Sequence, residues 1–165
     1  MMRVWIGAVL ISLAGCASQT SPQPPAVGKP PAGFVRMLSN EQVMTYADLH
    51  QISSYQGNSH LRRFYIINNY TPQTRIKEKP PIYIASSRVI NVINCDTQER
   101  AQFEHIFFSQ PYGQGEVVTM GDAVGQWHAF PKDSLMGMMA DMICKIDPAR
   151  LKPEPAKETR VPLLG

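Results

Sequence analysis

The chain has 165 residues, 16 Lys and Arg against 13 Asp and Glu, and a formal net charge of +3. That length suits one globular domain with short extensions. The near balance of charge excludes the broad basic footprint of a nucleic-acid binder, and no later run is both long and apolar enough to span a bilayer.

The first element is a targeting segment. Arg3 precedes an apolar run, Val4 to Leu13, which leads into Leu13-Ala14-Gly15-Cys16. Charged, apolar and small-residue regions follow in the order of a secretory signal. A cysteine at the cut is the pattern of a bacterial lipoprotein. Residues 1–15 are then expected to be removed, and the Cys16 thiol to carry a diacylglyceryl group. The apolar run is too short to cross a bilayer as a helix, about 15 Å against about 30 Å. The chain is therefore expected to be held by lipid alone. Ala17 follows the cysteine instead of an aspartate, which points to the outer membrane.

Residues 16–33 form a linker rich in proline, with Pro22, Pro24, Pro25, Pro30 and Pro31. Such a segment favours extended polyproline II and reaches about 50 Å at about 3.1 Å per residue. The domain is expected over residues 34–147. Its strand candidates are Val43–Ile52, Leu61–Tyr70, Ile82–Cys95, Ala101–Phe108, Glu116–Met120 and Gln126–Phe130, set by β-branched and aromatic residues. Thr71-Pro72 is expected to end the second of these. The links are short and polar, so the strands are expected to pair as an antiparallel meander.

The period then changes. Asp133 or Ser134 can cap a helix in which Leu135, Met138, Met139, Met142 and Ile146 recur at helical spacing. Pro148 stops it. On a helical wheel Cys144 lies almost opposite the Leu135/Met139/Met142 stripe, with Met136, Gly137, Ala140 and Ile143 on or near its side. An apolar arc that wide predicts burial on more than one side, in a strongly curved sheet or against a second subunit. Residues 148–165, with Pro148, Pro153, Pro155 and Pro162 among charges, are expected to be disordered.

Of the three cysteines, lipidation of Cys16 leaves Cys95 and Cys144. In an exported chain an even pair is expected to bond. The bond would staple the helix to a strand end and is worth roughly 4 kcal/mol in the chain-entropy model. A metal pair or a catalytic thiol are the other readings, and no His stands at ligand spacing near either cysteine.

Several of these residues together resemble the surface-adhesin protein E family of bacterial lipoproteins. They are Tyr46 and Asp48, Cys95-Asp96, Tyr112-Gly113-Gln114-Gly115 before Val117-Val118, Trp127 followed by Pro131, Ser134-Leu135 and Cys144. The resemblance spans Thr45–Lys145. It implies an α+β fold: a curved antiparallel sheet of about six strands, with one C-terminal helix disulfide-tethered to its concave face. It also implies adhesion to host extracellular-matrix or serum proteins, and in the founding member haem binding and dimerisation. It carries over no binding residue.

The remaining residues are weighed for chemistry on their own. Arg62, Arg63, Arg75, Lys77, Lys79 and Arg88 make a basic stretch. Arg75, Lys77 and Lys79, before Pro80-Pro81, read as an exposed loop suited to an acidic partner, or simply as a solvated loop that protects a sheet edge. His50, His60, His105 and His128 form no ligand pattern, and the helix methionines read as core. Gly113-Gln114-Gly115 leads to a strand and lacks a phosphate loop's third glycine. No nucleophile–base motif occurs. The expectation is a binding module with no catalytic residue, cofactor, metal or nucleic-acid partner. It is expected to be a lipid-anchored outer-membrane protein, and the resemblance implies that it recognises host proteins. The alternatives are a periplasm-facing structural or assembly lipoprotein and, more distantly, a haem or small-ligand carrier.

Overall fold

The structure, a computed structural model, describes residues 27–121 and 125–165. The signal 1–15, Cys16 and the linker up to residue 26 lie outside the described residues.

Among the described residues seven strands and one α-helix follow in chain order: β1 (Phe34–Ser39), β2 (Val43–Tyr55), β3 (Asn58–Lys77), β4 (Ile82–Asn94), β5 (Glu99–Gln110), β6 (Gln114–Gly121), β7 (His128–Ala129) and α1 (Leu135–Cys144). The first six pair in sequence order, each antiparallel to the next, and β7 joins β5 at Glu99 and Arg100. The meander follows from the short links. Gln56 and Gly57 turn β2 into β3 with φ of 51° and 74°, the left-handed pair that a tight hairpin requires. The expected strands are all present in longer or shorter form, and β1 is an addition at the edge.

One expected boundary moves. Thr71-Pro72 does not end β3. The β3–β4 register shifts between Asn69 and Thr74, so the proline falls in an irregular stretch where its missing N–H costs no ladder bond.

The sheet buries both faces. On one, Ala47, Ile52, Phe64, Ile66 and Ile93 pack against Met139, Ala140 and Ile143 of α1. On the other, Tyr46, Tyr65, Ile67 and Tyr112 form an aromatic cluster joined by Phe34 and Ile90. Alternation along β3 places Phe64 and Ile66 on the first and Tyr65 and Ile67 on the second. Register shifts within β2, β3 and β5 bend the strands around the helix.

Ser134 is the helix cap. Its Oγ accepts the Gly137 N–H at 3.1 Å and donates to the Pro131 carbonyl at 2.6 Å. The helix is held to the sheet by the Cys95–Cys144 disulfide, which closes a separation of 49 residues with the Cα atoms 5.7 Å apart. The buried face of α1 differs from the expected stripe. Gly137, Met139, Ala140 and Ile143 are buried, while Met138 and Met142 are 58% and 51% exposed. The staple is the physical reason: it holds the Cys144 side toward β4, so of the expected stripe Met139 stays buried while Met138 and Met142 are left to solvent. Gly137 serves the turn into the helix instead, because a Cβ there would meet the Pro131 and Lys132 carbonyls.

The largest departure from expectation is the tail. Residues 148–165 are laid on the sheet instead of being disordered. After a short 3-10 turn, Pro148–Arg150, the Lys152 N–H donates to the Ile52 carbonyl at 2.9 Å. Lys152 also bridges Ser53 in parallel. The chain crosses the aromatic face at Pro155–Glu158. It ends with the Leu163 and Leu164 amides on the Val117 and Val118 carbonyls of β6. Low hydrophobicity did not prevent order, because the tail completes hydrogen bonds that the strands leave open.

Candidate interaction surfaces

The basic residues singled out from the sequence divide into two groups. Arg62 and Arg63 are buried, 4% and 2% exposed, and Arg88 is largely covered, its side chain 20% exposed. They are internal. Arg75, Lys77 and Lys79 are exposed. They lie on an arm formed where β3 and β4 run on together, with Arg75 opposite Tyr83 and Lys77 opposite Ile82. The arm is a hairpin rather than an irregular loop. Glu78 engages Arg75 at 3.1 Å, and Lys77 and Lys79 have no acidic partner among the described residues. Ile76 beside them is 38% exposed. A projecting arm with two free ammonium groups and an apolar side chain suits an acidic protein surface.

The second surface is the aromatic face beneath the tail. Its charged groups form one chain. The Arg63 guanidinium lies 4.5 Å from the Tyr65 ring centroid and that of Arg88 4.8 Å, distances at which a cation is attracted to the ring. Arg88 donates to Glu158 at 3.1 Å. Arg160 donates to the same carboxylate at 2.9 and 2.8 Å, and to the Gly115 carbonyl at 2.7 Å. These bonds, those from Arg160 foremost, pull the Glu158 carboxyl down to about 2 against the opposing effect of burial. Asp48 moves the other way. Burial raises it, although it accepts the His50 N–H at 2.9 Å.

A cavity of about 480 Å³ lies between the tail and this face, bounded by Phe34, Asp48, Tyr65, Arg88 and Tyr112. Tyr112 is fixed at both ends. Its amide donates to the Asn69 side chain and its hydroxyl to the Gly28 carbonyl, each at 2.7 Å. Burial, reinforced by Tyr46, pushes its hydroxyl up to about 12. Nothing in a Pro-rich, charged tail marks Glu158 and Arg160 as members of such a network. Their short i,i+2 spacing is the only signal, and it is common.

The histidines are dispersed over four strands, at β2, β3, β5 and β7. The His60 ring contacts the Asp96 carboxylate at 3.1 Å. His105 packs on Phe107, ring centroids 4.3 Å apart, and burial lowers its pKa.

The architecture is an open antiparallel meander whose C-terminal helix is disulfide-stapled to one face. The family model for surface-adhesin protein E matches residues 34–145, and the chain belongs to that family. The tail lies beyond the matched residues. Among solved structures, the chain is similar to the crystal structure of protein E from non-typeable Haemophilus influenzae. Identity is 20%, coverage is 74% of this chain and 80% of that one, and the TM-score is 0.59. The selenomethionine form of Haemophilus influenzae protein E matches at 21% identity over 74% and 92% of the two chains, with a TM-score of 0.54. Its crystal form II matches at 20% over 74% and 93%, with a TM-score of 0.53. At these identities the likeness is one of fold.

Proposed function

We propose that this protein is a lipid-anchored adhesin of the cell surface that binds a host extracellular-matrix or serum protein without catalysing a reaction. Membership of the surface-adhesin protein E family is the observation that carries this reading. The Arg75–Lys79 arm is the contact surface, because it projects, it is basic and two of its ammonium groups are unpaired. Cys16 supplies the anchor and the outer membrane is the site. The signal pattern around Cys16 supports this placement.

The test has three arms. Antibody to residues 34–145 should label intact cells. The purified chain should bind a matrix or serum protein saturably, and replacing Arg75, Lys77 and Lys79 with Gln should weaken that binding and flatten its salt dependence. Cys16→Ser should abolish fatty-acid labelling. A domain that is inaccessible on intact cells, and whose loss disturbs the envelope but not adhesion, would mark a periplasm-facing assembly protein instead.

A further inference from the structure

A third surface lies where α1 ends against β2, away from the β3–β4 arm. A cavity of about 330 Å³ opens there. Its polar lining is entirely basic: His50 from β2, Lys145 from the helix end, and Arg150 and Lys152 from the first turn of the tail. Leu49, Ile52, Met142 and Ile146 make its apolar part. No carboxylate lines it. Lys145 is engaged by Asp141 at 2.7 Å. Asp147 turns its carboxylate to the Ala149 N–H at 2.9 Å. Arg150 and Lys152 have no acidic partner among the described residues.

A second, independent observation comes from behind the wall. Arg62 is 4% exposed. One guanidinium nitrogen donates to the carbonyl of Ile146, a residue of the cavity lining, at 3.2 Å. Its Nε and Nη1 have no partner. A buried guanidinium without a counter-ion is costly, and an anion nearby offsets that cost. The positive charge of Arg62, bonded just past the end of α1, also opposes the negative end of the helix dipole, which would otherwise repel an anion from this spot.

We propose that this cavity binds the phosphate of an anionic lipid headgroup, so that the domain docks on a membrane surface through the C-terminal end of its helix. The charge selects a phosphate. The neighbouring side chains select a membrane as its source. Met142 at the rim is 51% exposed and Met138, one turn earlier, is 58% exposed. Exposed flexible apolar side chains beside cations are the composition of an interfacial contact, in which the cations meet headgroups and the methionines enter the acyl boundary. A soluble anion makes no use of them.

Residues 27–165 carry every contact described above and serve as the test protein. They should co-sediment with vesicles of equal phosphatidylcholine and phosphatidylglycerol, and not with phosphatidylcholine alone. Arg150→Gln with Lys152→Gln should weaken this roughly thirtyfold, at about 1 kcal/mol for each cation near the surface. Both side chains are exposed and unpaired, so an unchanged melting temperature should accompany the loss. Met142→Gln should weaken vesicle binding as well. Replacing Arg75, Lys77 and Lys79 with Gln should leave it within about twofold, since that arm is elsewhere. An equal loss in the arm variant would indicate net-charge attraction and overturn the site. Inorganic phosphate bound saturably with no preference for anionic vesicles would overturn the membrane. So would heparin binding that requires Arg150 and Lys152 while vesicles are ignored.

Discussion

The two faces of the sheet are stabilised in opposite ways. The helix face is mainly apolar: Phe64 and Ile93 are fully buried against Ile143, and a covalent bond holds the cover in place. The tail face is a mixed surface of tyrosines, arginines and carboxylates, covered by a strap held with hydrogen bonds. The first face gains from apolar area removed from water. The second gains from satisfied polar groups, each worth little alone and expensive to leave unmade. The helix face should therefore carry most of the global stability, and the tail face should respond to charge and pH.

The largest expected effect is on the helix face. Phe64→Ala should cost about 3–5 kcal/mol in urea unfolding, through lost burial and a cavity under α1. Replacing Cys95 and Cys144 with Ala should cost roughly 2–5 kcal/mol, mostly by releasing the unfolded chain. Both should lower stability at every pH. If either leaves the unfolding midpoint unchanged, the helix is not the main support.

On the tail face Glu158→Gln should cost about 1–2 kcal/mol near neutral pH, because it removes charge-assisted bonds from Arg88 and Arg160. The pH dependence follows from a carboxyl held at about 2 instead of its ordinary 4.5. Its contribution is present above pH 4.5 and is lost as the pH falls toward 2. Hydrogen exchange of the Leu163 and Leu164 amides, relative to its intrinsic rate at each pH, should accelerate across that window in the parent chain. In the variant it should already be fast at neutral pH.

The smallest expected effect has the opposite sign. Burial raises Asp48 above its ordinary 3.8. The stability linked to its neutral form is complete below that value and is lost as the pH rises through the folded one. Asp48→Asn keeps an acceptor for the His50 N–H and removes the buried charge, so it should stabilise the domain by about 0.5–1 kcal/mol at neutral pH. A loss there would mean that Arg88 compensates the charge fully.

The difference between the faces also explains what the sequence revealed. Strands β2 to β6 were legible because β-branched and aromatic residues alternate between turn signals. The staple was legible because two cysteines remained after Cys16. The helix was placed correctly and its wide apolar arc was foreseen, but Met138 and Met142 were taken as core and are exposed. Both its arcs are apolar, and only the partner of Cys144 decides which is buried. The tail was misread for a physical reason. Composition reports whether a segment can form its own core, and this one completes an existing surface. Pro155 and Glu158 needed no partner of their own kind, only the Arg88 side chain and open strand groups already in place. The β3–β4 arm was seen as basic and exposed, with Arg75, Lys77 and Lys79 set apart from the longer basic stretch, but the burial of Arg62, Arg63 and Arg88 was not foreseen. Which face a strand residue takes depends on register.

The ends of the tail have a consequence for self-association. An open sheet has two free edges, and two complementary edges on each copy would let subunits add without limit into a filament. Here Leu163 and Leu164 occupy carbonyls of β6, and Lys152 occupies β2 where β1 stops short. The outer side of β1, with Val35 and Leu38 exposed, is left open. Among the described residues, covering part of one edge in this way hinders unlimited edge-to-edge growth, because a strand already bonded there cannot template another copy.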